Sequence, residues 1–128
     1  MKIEVSIGEV IDKITILQIK QEKIKDKNKL KYISEELETL SSSLKLENIS
    51  VPSEMVDELK RINLELWEAE DIIRDCENRQ DFGDDFVKCA RLDAILNDKR
   101  FLAKNKINNY SNSVIKEQKS YEGLYTSD

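Results

Sequence analysis

Glycine and proline are nearly absent: three and one in 128 residues, about 3% for the pair against roughly 12% in average usage. Turns that need a positive or a fixed φ lean on these two residues. A β-sandwich or barrel needs many such turns, which excludes an all-β fold. A doubly wound α/β fold with glycine-rich phosphate loops fails for the same reason. Histidine is missing altogether. Its absence removes the Glu-x-x-His di-iron bundle, histidine-based zinc sites and every Ser–His or Cys–His nucleophile pair. The two cysteines, Cys76 and Cys89, are too few for four-cysteine zinc or for a disulfide framework. Both occupy apolar periodic positions and are expected as reduced core residues. No apolar run approaches membrane-spanning length, and the opening MKIEVS has no apolar stretch of a secretory signal. A single all-helical domain remains, expected in the cytoplasm, with no cofactor and no metal.

What is present is mostly charge. Charged residues make up 37% of the chain, with 21 Lys and Arg against 26 Asp and Glu, a net charge of −5. The two signs are interspersed, a pattern that keeps a protein soluble and does not steer it to a polyanion. Nucleic acid is therefore disfavoured as a partner. One basic stretch, Lys20, Lys23, Lys25, Lys27, Lys29 and Lys31, is interrupted by Glu22 and Asp26 and reads as a solvated helix end and turn.

The order of elements follows from periodicity. Lys2 to Val5 alternate like a short extended arm, which either lies along the bundle or pairs with a second copy, since one strand cannot stand alone. Ser6 and Glu9 form an S-x-x-E capping box, with Val5 and Val10 at the positions of a hydrophobic staple. The first helix is expected over residues 7–25. Ile7, Val10, Ile11, Ile14 and Leu17 share one arc, and Ile16 and Ile19 lie opposite. An apolar residue on both sides requires burial on both sides, either inside the chain's own bundle or against a partner. Leu30, Ile33, Leu37, Leu40 and Leu44 start a new phase, so a break falls near residue 26 and a second helical segment covers about 28–45. Periodicity leaves open whether the chain kinks there or folds back. Pro52 and Ser53 mark the next start. The heptad series Met55, Leu59, Ile62, Leu66, Ala69, Ile73 and Cys76 follows, with Trp67 packing beside it. RQDFGDD is a turn, with Gly83 permitting it. The last helix is expected from Asp84 to Ser113 or beyond, and residues 116–128 form a frayed tail. The expected architecture is thus an all-α antiparallel bundle of three long helices, the first broken near residue 26. The whole chain forms one domain and is expected to be a homodimer through the helix-3 seam and the second face of helix 1.

One feature interrupts the pattern. The last helix has its own seam, Phe86, Cys89, Asp93, Leu96, Arg100, Ala103, Ile107, Tyr110 and Val114, and two of its members are charged. Asn97 lies between Asp93 and Arg100, Lys104 extends the row, and Gln18 falls within the main apolar arc of helix 1. Spacings of three and four place such side chains together on one helix face, and buried charges need partners. Three arrangements satisfy these constraints. Asp93, Asn97, Arg100 and Gln18 form an internal network that fixes helix register; or the helices rotate and Arg100 and Lys104 reach water; or the cluster binds a small anionic ligand.

Enzyme motifs are thin. Glu68-Ala-Glu70-Asp71 and Glu35-Glu36-Leu37-Glu38 are somewhat similar to the acidic motifs of all-helical nucleotide pyrophosphatases, with one carboxylate out of place. EVIDKITILQIKQEKI is similar to the first helix of the all-helical chorismate mutases, but the arginine expected there is replaced by Lys20 or Lys23. No catalytic residue is assigned. Three blocks carry a closer resemblance: GEVIDKITILQIK, LWEAEDIIRDCE, and DFGDDFVKCARL followed by NDKR, Lys104, Ile107 and Asn108. Together they resemble an uncharacterised family, a domain of unknown function in small bacterial and phage proteins. That resemblance spans Val5 to about Asn108 and implies a compact helical protein with no activity to carry over. Its characteristic polar positions match Asp12, Lys13, Asn97, Asp98, Arg100 and Lys104. The expected function is a non-enzymatic helical interaction or scaffold module, with a small anionic-ligand binder or enzyme as the alternative.

Overall fold

The computed structural model describes residues 1–112, 118–120 and 122–124, and within them the chain forms four α-helices: α1 (Ile7–Lys23), α2 (Lys27–Leu46), α3 (Ser53–Arg79) and α4 (Asp84–Tyr110). No strand occurs among the described residues. Each boundary has a local cause. The Ser6 hydroxyl accepts the Glu9 N–H at 3.1 Å and opens α1, as the capping box requires. α1 stops at Lys23, two residues before the expected end, because Ile24 turns extended (φ −88°, ψ 135°). The Asp26 carboxylate then caps α2 by accepting the N–H groups of Asn28 and Lys29. Three residues therefore reverse the chain: Gln21 bonds Ser34 and Lys13 pairs with Glu36 across the two helices. The expected break is a full fold-back, and the bundle has four separate helices where three, the first broken, were expected.

The turn between α3 and α4 contains a second departure. Gly83 was expected to supply its conformational freedom, but its φ is −78°. The left-handed position is Gln80 at φ 54°, the usual geometry after a helix C-terminus. The Asp81 side chain accepts the Gly83 N–H at 3.1 Å and shapes the entry into α4. α4 itself ends at Tyr110, with Ser111 as its cap; Ser113 and Val114 lie outside the described residues.

α1 is the central element. It packs on α2, α3 and α4, and this explains its two apolar sides. Ile11 and Ile14 join Leu59, Ile62, Leu66, Leu96, Ala103 and Ile107 in the main core, and Ile19 is also fully buried. The helix-3 seam is equally consumed inside the chain, with Leu59, Ile62, Leu66, Ala69 and Cys76 all buried. Both surfaces expected to join two copies are thus interior. α3 and α4 pack along their lengths, and Glu58 near the start of α3 accepts from Lys106 near the end of α4 at 3.3 Å. Residues 1–5 are exposed and form no regular structure.

Candidate functional site

The polar groups of interest meet where the first half of α1 crosses α3 and α4. Gly8, Asp12, Thr15 and Ile19 recur at spacings of four, three and four, so they share one face of α1. All four are buried. Opposite them stand Asn63 of α3 and the row Arg100, Lys104, Asn108 of α4.

Asp12 is the centre. Its carboxylate, 1% exposed, receives Arg100 Nε on Oδ1 at 2.9 Å and Nη2 on Oδ2 at 2.5 Å. This is the two-pronged fork that only a guanidinium offers a carboxylate. Asn63 Nδ2 donates to the same Oδ1 at 2.9 Å and to Thr15 Oγ1 at 3.0 Å. The Thr15 hydroxyl closes the ring by donating to the Asp12 carbonyl at 2.8 Å. Three helices are pinned at one carboxylate.

A second set of contacts lies one turn toward the start of α1. Lys104, buried in its side chain, pairs with Glu9 at 2.7 Å. The Gly8 N–H, one of the first-turn donors a helix leaves unsatisfied, donates to Asn108 Oδ1 at 2.7 Å. Glycine is required here by close approach. A Cβ on residue 8 would stand 2.6 Å from the Lys104 carbonyl oxygen and 2.8 Å from Asn108 Oδ1.

The residues singled out in the sequence divide accordingly. Arg100 and Lys104 join the α1 contacts. Asp93 and Asn97 bond each other along α4, with Asn97 Nδ2 donating to the Asp93 carbonyl at 3.0 Å and to Oδ2 at 3.3 Å. Asp93 Oδ1 is buried and no donor among the described residues reaches it. Gln18 is half-buried and makes none of the hydrogen bonds described here. Lys13 is exposed and paired with Glu36 at 3.0 Å; Asp98 is half-buried on α4. Periodicity did not single out Asn63, Thr15, Glu9, Gly8 or Asn108. The Gly8–Asp12–Thr15–Ile19 spacing was the available signal, because small and polar residues at core spacing mark a close, hydrogen-bonded helix crossing.

Glu70 on α3 faces this end of the cluster. Partial burial, then the hydrogen bond with and the charge of Asp93, push its carboxyl above the ordinary glutamate value, with Arg100 and Arg74 pulling the other way.

The chemical capacity of the site is limited by room. Asn97, Arg100, Phe101, Lys104 and Lys119 line a cleft of about 20 Å³. That holds about one water molecule, whereas ligand pockets run to several hundred cubic ångströms. The Lys119 ammonium lies 5.8 Å from the centre of the Phe101 ring beside it. Among the described residues no group of three or more Cys, Asp or Glu side chains is placed to hold a metal ion.

A family model described as a family of unknown function, DUF6165, matches residues 1–127. The chain belongs to DUF6165. The match covers the whole cluster and all four helices, and the resemblance noted in the sequence is therefore real. DUF6165 supplies a family without an activity. Comparison with curated proteins and with solved structures gave no match. No helix among the described residues is long and apolar enough to cross a membrane.

Proposed function

We propose that this DUF6165 protein is a non-enzymatic helical interaction module that works in the cytoplasm as a homodimer. Two observations support a structural role for the polar cluster. Its charged groups spend their hydrogen bonds on holding α1 against α3 and α4, and the space beside them is water-sized. Two reduced thiols, Cys76 and Cys89, fit a reducing compartment.

The observation that carries self-association lies on the outer face of α4, turned away from its core seam. Asp84, Val87, Lys88, Arg91, Leu92 and Ile95 line a groove of about 440 Å³, and Val87 is 51% exposed at its middle. The charges flank the apolar residues with opposite signs at the two ends. A two-fold axis makes an interface self-complementary. Laid antiparallel about a point between Val87 and Lys88, two copies of α4 bring Asp84 of each opposite Arg91 of the other and close Val87 on itself. An antiparallel α3–α4 pair, supported by the Glu58–Lys106 contact, presents this face as one rigid edge.

Sedimentation equilibrium tests the proposal. The native chain is expected to be a dimer. Asp84→Arg is expected to give monomer by setting like charges against each other, and the double swap Asp84→Arg with Arg91→Asp is expected to restore the dimer. A native chain that stays monomeric over the whole concentration range overturns the proposal. So does a double swap that fails while retaining native helicity.

A further inference from the structure

The end of the α3–α4 pair nearest the turn holds both cysteines, and the register of the two helices sets them level. Glu58 and Lys106 meet across the pair. Cys76 lies 18 residues on from Glu58, and Cys89 lies 17 residues back from Lys106. At 1.5 Å per residue the two advances differ by about one residue's rise. The mutual influence of Glu70 and Asp93 fixes the same register nearer the turn. Each cysteine also sits on the inward seam of its helix: Cys76 is 1% exposed and Cys89 is 8% exposed. Facing seam positions of two packed helices lie within the reach of a disulfide when their levels agree.

The surroundings differ in a way that assigns roles. Arg79 Nη2 donates to Cys76 Sγ at 3.8 Å, and Arg79 is itself held by Asp75 and Asp81. Burial pushes the Cys76 thiol up, and the Arg79 guanidinium partly opposes that shift. Cys89, the more exposed of the two, is the one an external reagent meets first. Both lie within two turns of a helix end, where local opening is easiest. α1 is anchored elsewhere, at Lys60 and Asn63 of α3 by way of Glu22, Asp12 and Thr15, and at Arg100, Lys104 and Asn108 of α4. The cysteine end can therefore open without disturbing the polar cluster.

We propose that Cys76 and Cys89 are a reversible thiol pair that closes into an intramolecular disulfide under a small-molecule disulfide such as oxidised glutathione. The Cys89 thiolate attacks one sulfur of the reagent, forms a mixed disulfide and releases one thiol. The Cys76 thiolate then attacks the Cys89 sulfur and releases the second thiol. The protein loses two protons and two electrons, and the reagent is reduced to two thiols. The new bond ties α3 to α4 across the turn and stiffens the edge that carries the outer face of α4. Intracellular disulfides of this kind are typically transient and redox-sensing.

The test is to incubate the native chain with oxidised glutathione, trap free thiols with an alkylating agent, and measure intact mass and proteolytic peptides. The expected product is lighter by about 2 Da, carries a peptide joining Cys76 to Cys89, and reverts with dithiothreitol. Its thermal midpoint is expected to rise by about 5 °C, because a cross-link restricts the unfolded chain. Cys76→Ser is expected to stop at a stable Cys89–glutathione adduct. A stable glutathione adduct on the native chain, a bond between two chains, or unreacted thiols in the folded protein would each overturn the proposal. These outcomes are independent of whether the chain is a dimer.

Discussion

Removing Arg100 leaves the Asp12 carboxylate buried with only the Asn63 amide to hold it. A buried pair gives little net stability when intact, but breaking it from one side strands a charge and costs about 3–5 kcal/mol. Arg100→Ala is expected to lower the unfolding free energy by that order in urea titrations, with native helicity retained below the transition. Arg100→Lys is expected to recover less than half, because an ammonium cannot serve both oxygens of Asp12 at once. A loss under about 1 kcal/mol for Arg100→Ala would show that the pair is solvated and not a pin. Arg100 was visible in the sequence as a charge inside an apolar seam, and its need for a partner followed from burial cost alone. The partner itself was not visible. Asp93 and Gln18 were the nearest polar candidates on their helices, whereas Asp12 lies 88 residues away from Arg100. A one-helix pattern says which residues point inward, but the helix opposite is set by how α1 crosses the pair.

At the scale of the elements, helix seams were legible because burial repeats every three or four residues. The boundaries followed where a side chain does the capping, as at Ser6 and Asp26. The α3–α4 turn did not follow, because Gln80 takes the left-handed position next to a glycine that does not use it. Within that helix pair Glu70 and Asp93 make a testable contact. The folded chain raises the Glu70 carboxyl, chiefly by burial and then by Asp93, so folding favours the protonated form. The sign follows directly: this contribution to stability is fully present below the ordinary glutamate value of about 4.3 and is lost as pH rises through the raised folded value. Glu70→Gln keeps a neutral donor beside the buried Asp93 Oδ1 at every pH. The variant is expected to be more stable than the native chain at pH 7, by a few tenths of a kcal/mol since Glu70 is mostly in water. That advantage is expected to vanish near pH 4. Thermal melts of both chains from pH 4 to 7 check it, and a constant difference across that range would remove the Glu70–Asp93 contact as its cause.

The whole molecule is unequally tied together. α1, α3 and α4 share the main core and the polar cluster, whereas α2 lies close only to α1. Of the 20 residues of α2, Ile33 alone is buried; Leu37, Leu40 and Leu44 are half-buried against the core edge. Its ties to α1 that involve charge or hydrogen bonds, Lys13–Glu36 and Gln21–Ser34, are exposed, and exposed pairs contribute about 1 kcal/mol or less each. Local opening free energy follows buried apolar contact. Native-state hydrogen exchange is therefore expected to show α2 opening well below the global unfolding free energy. The amides of Leu59 to Leu66 and of Leu96 to Ile107 should exchange only through global unfolding. Added denaturant should merge the two classes, because α2 exposes little surface when it opens alone. Arg100→Ala should lower the protection of α1, α3 and α4 and leave that of α2 nearly unchanged until global stability falls to meet it. Equal protection in all four helices of the native chain would mean that α2 belongs to the same cooperative unit, and that the half-buried leucines hold it more firmly than their exposure suggests.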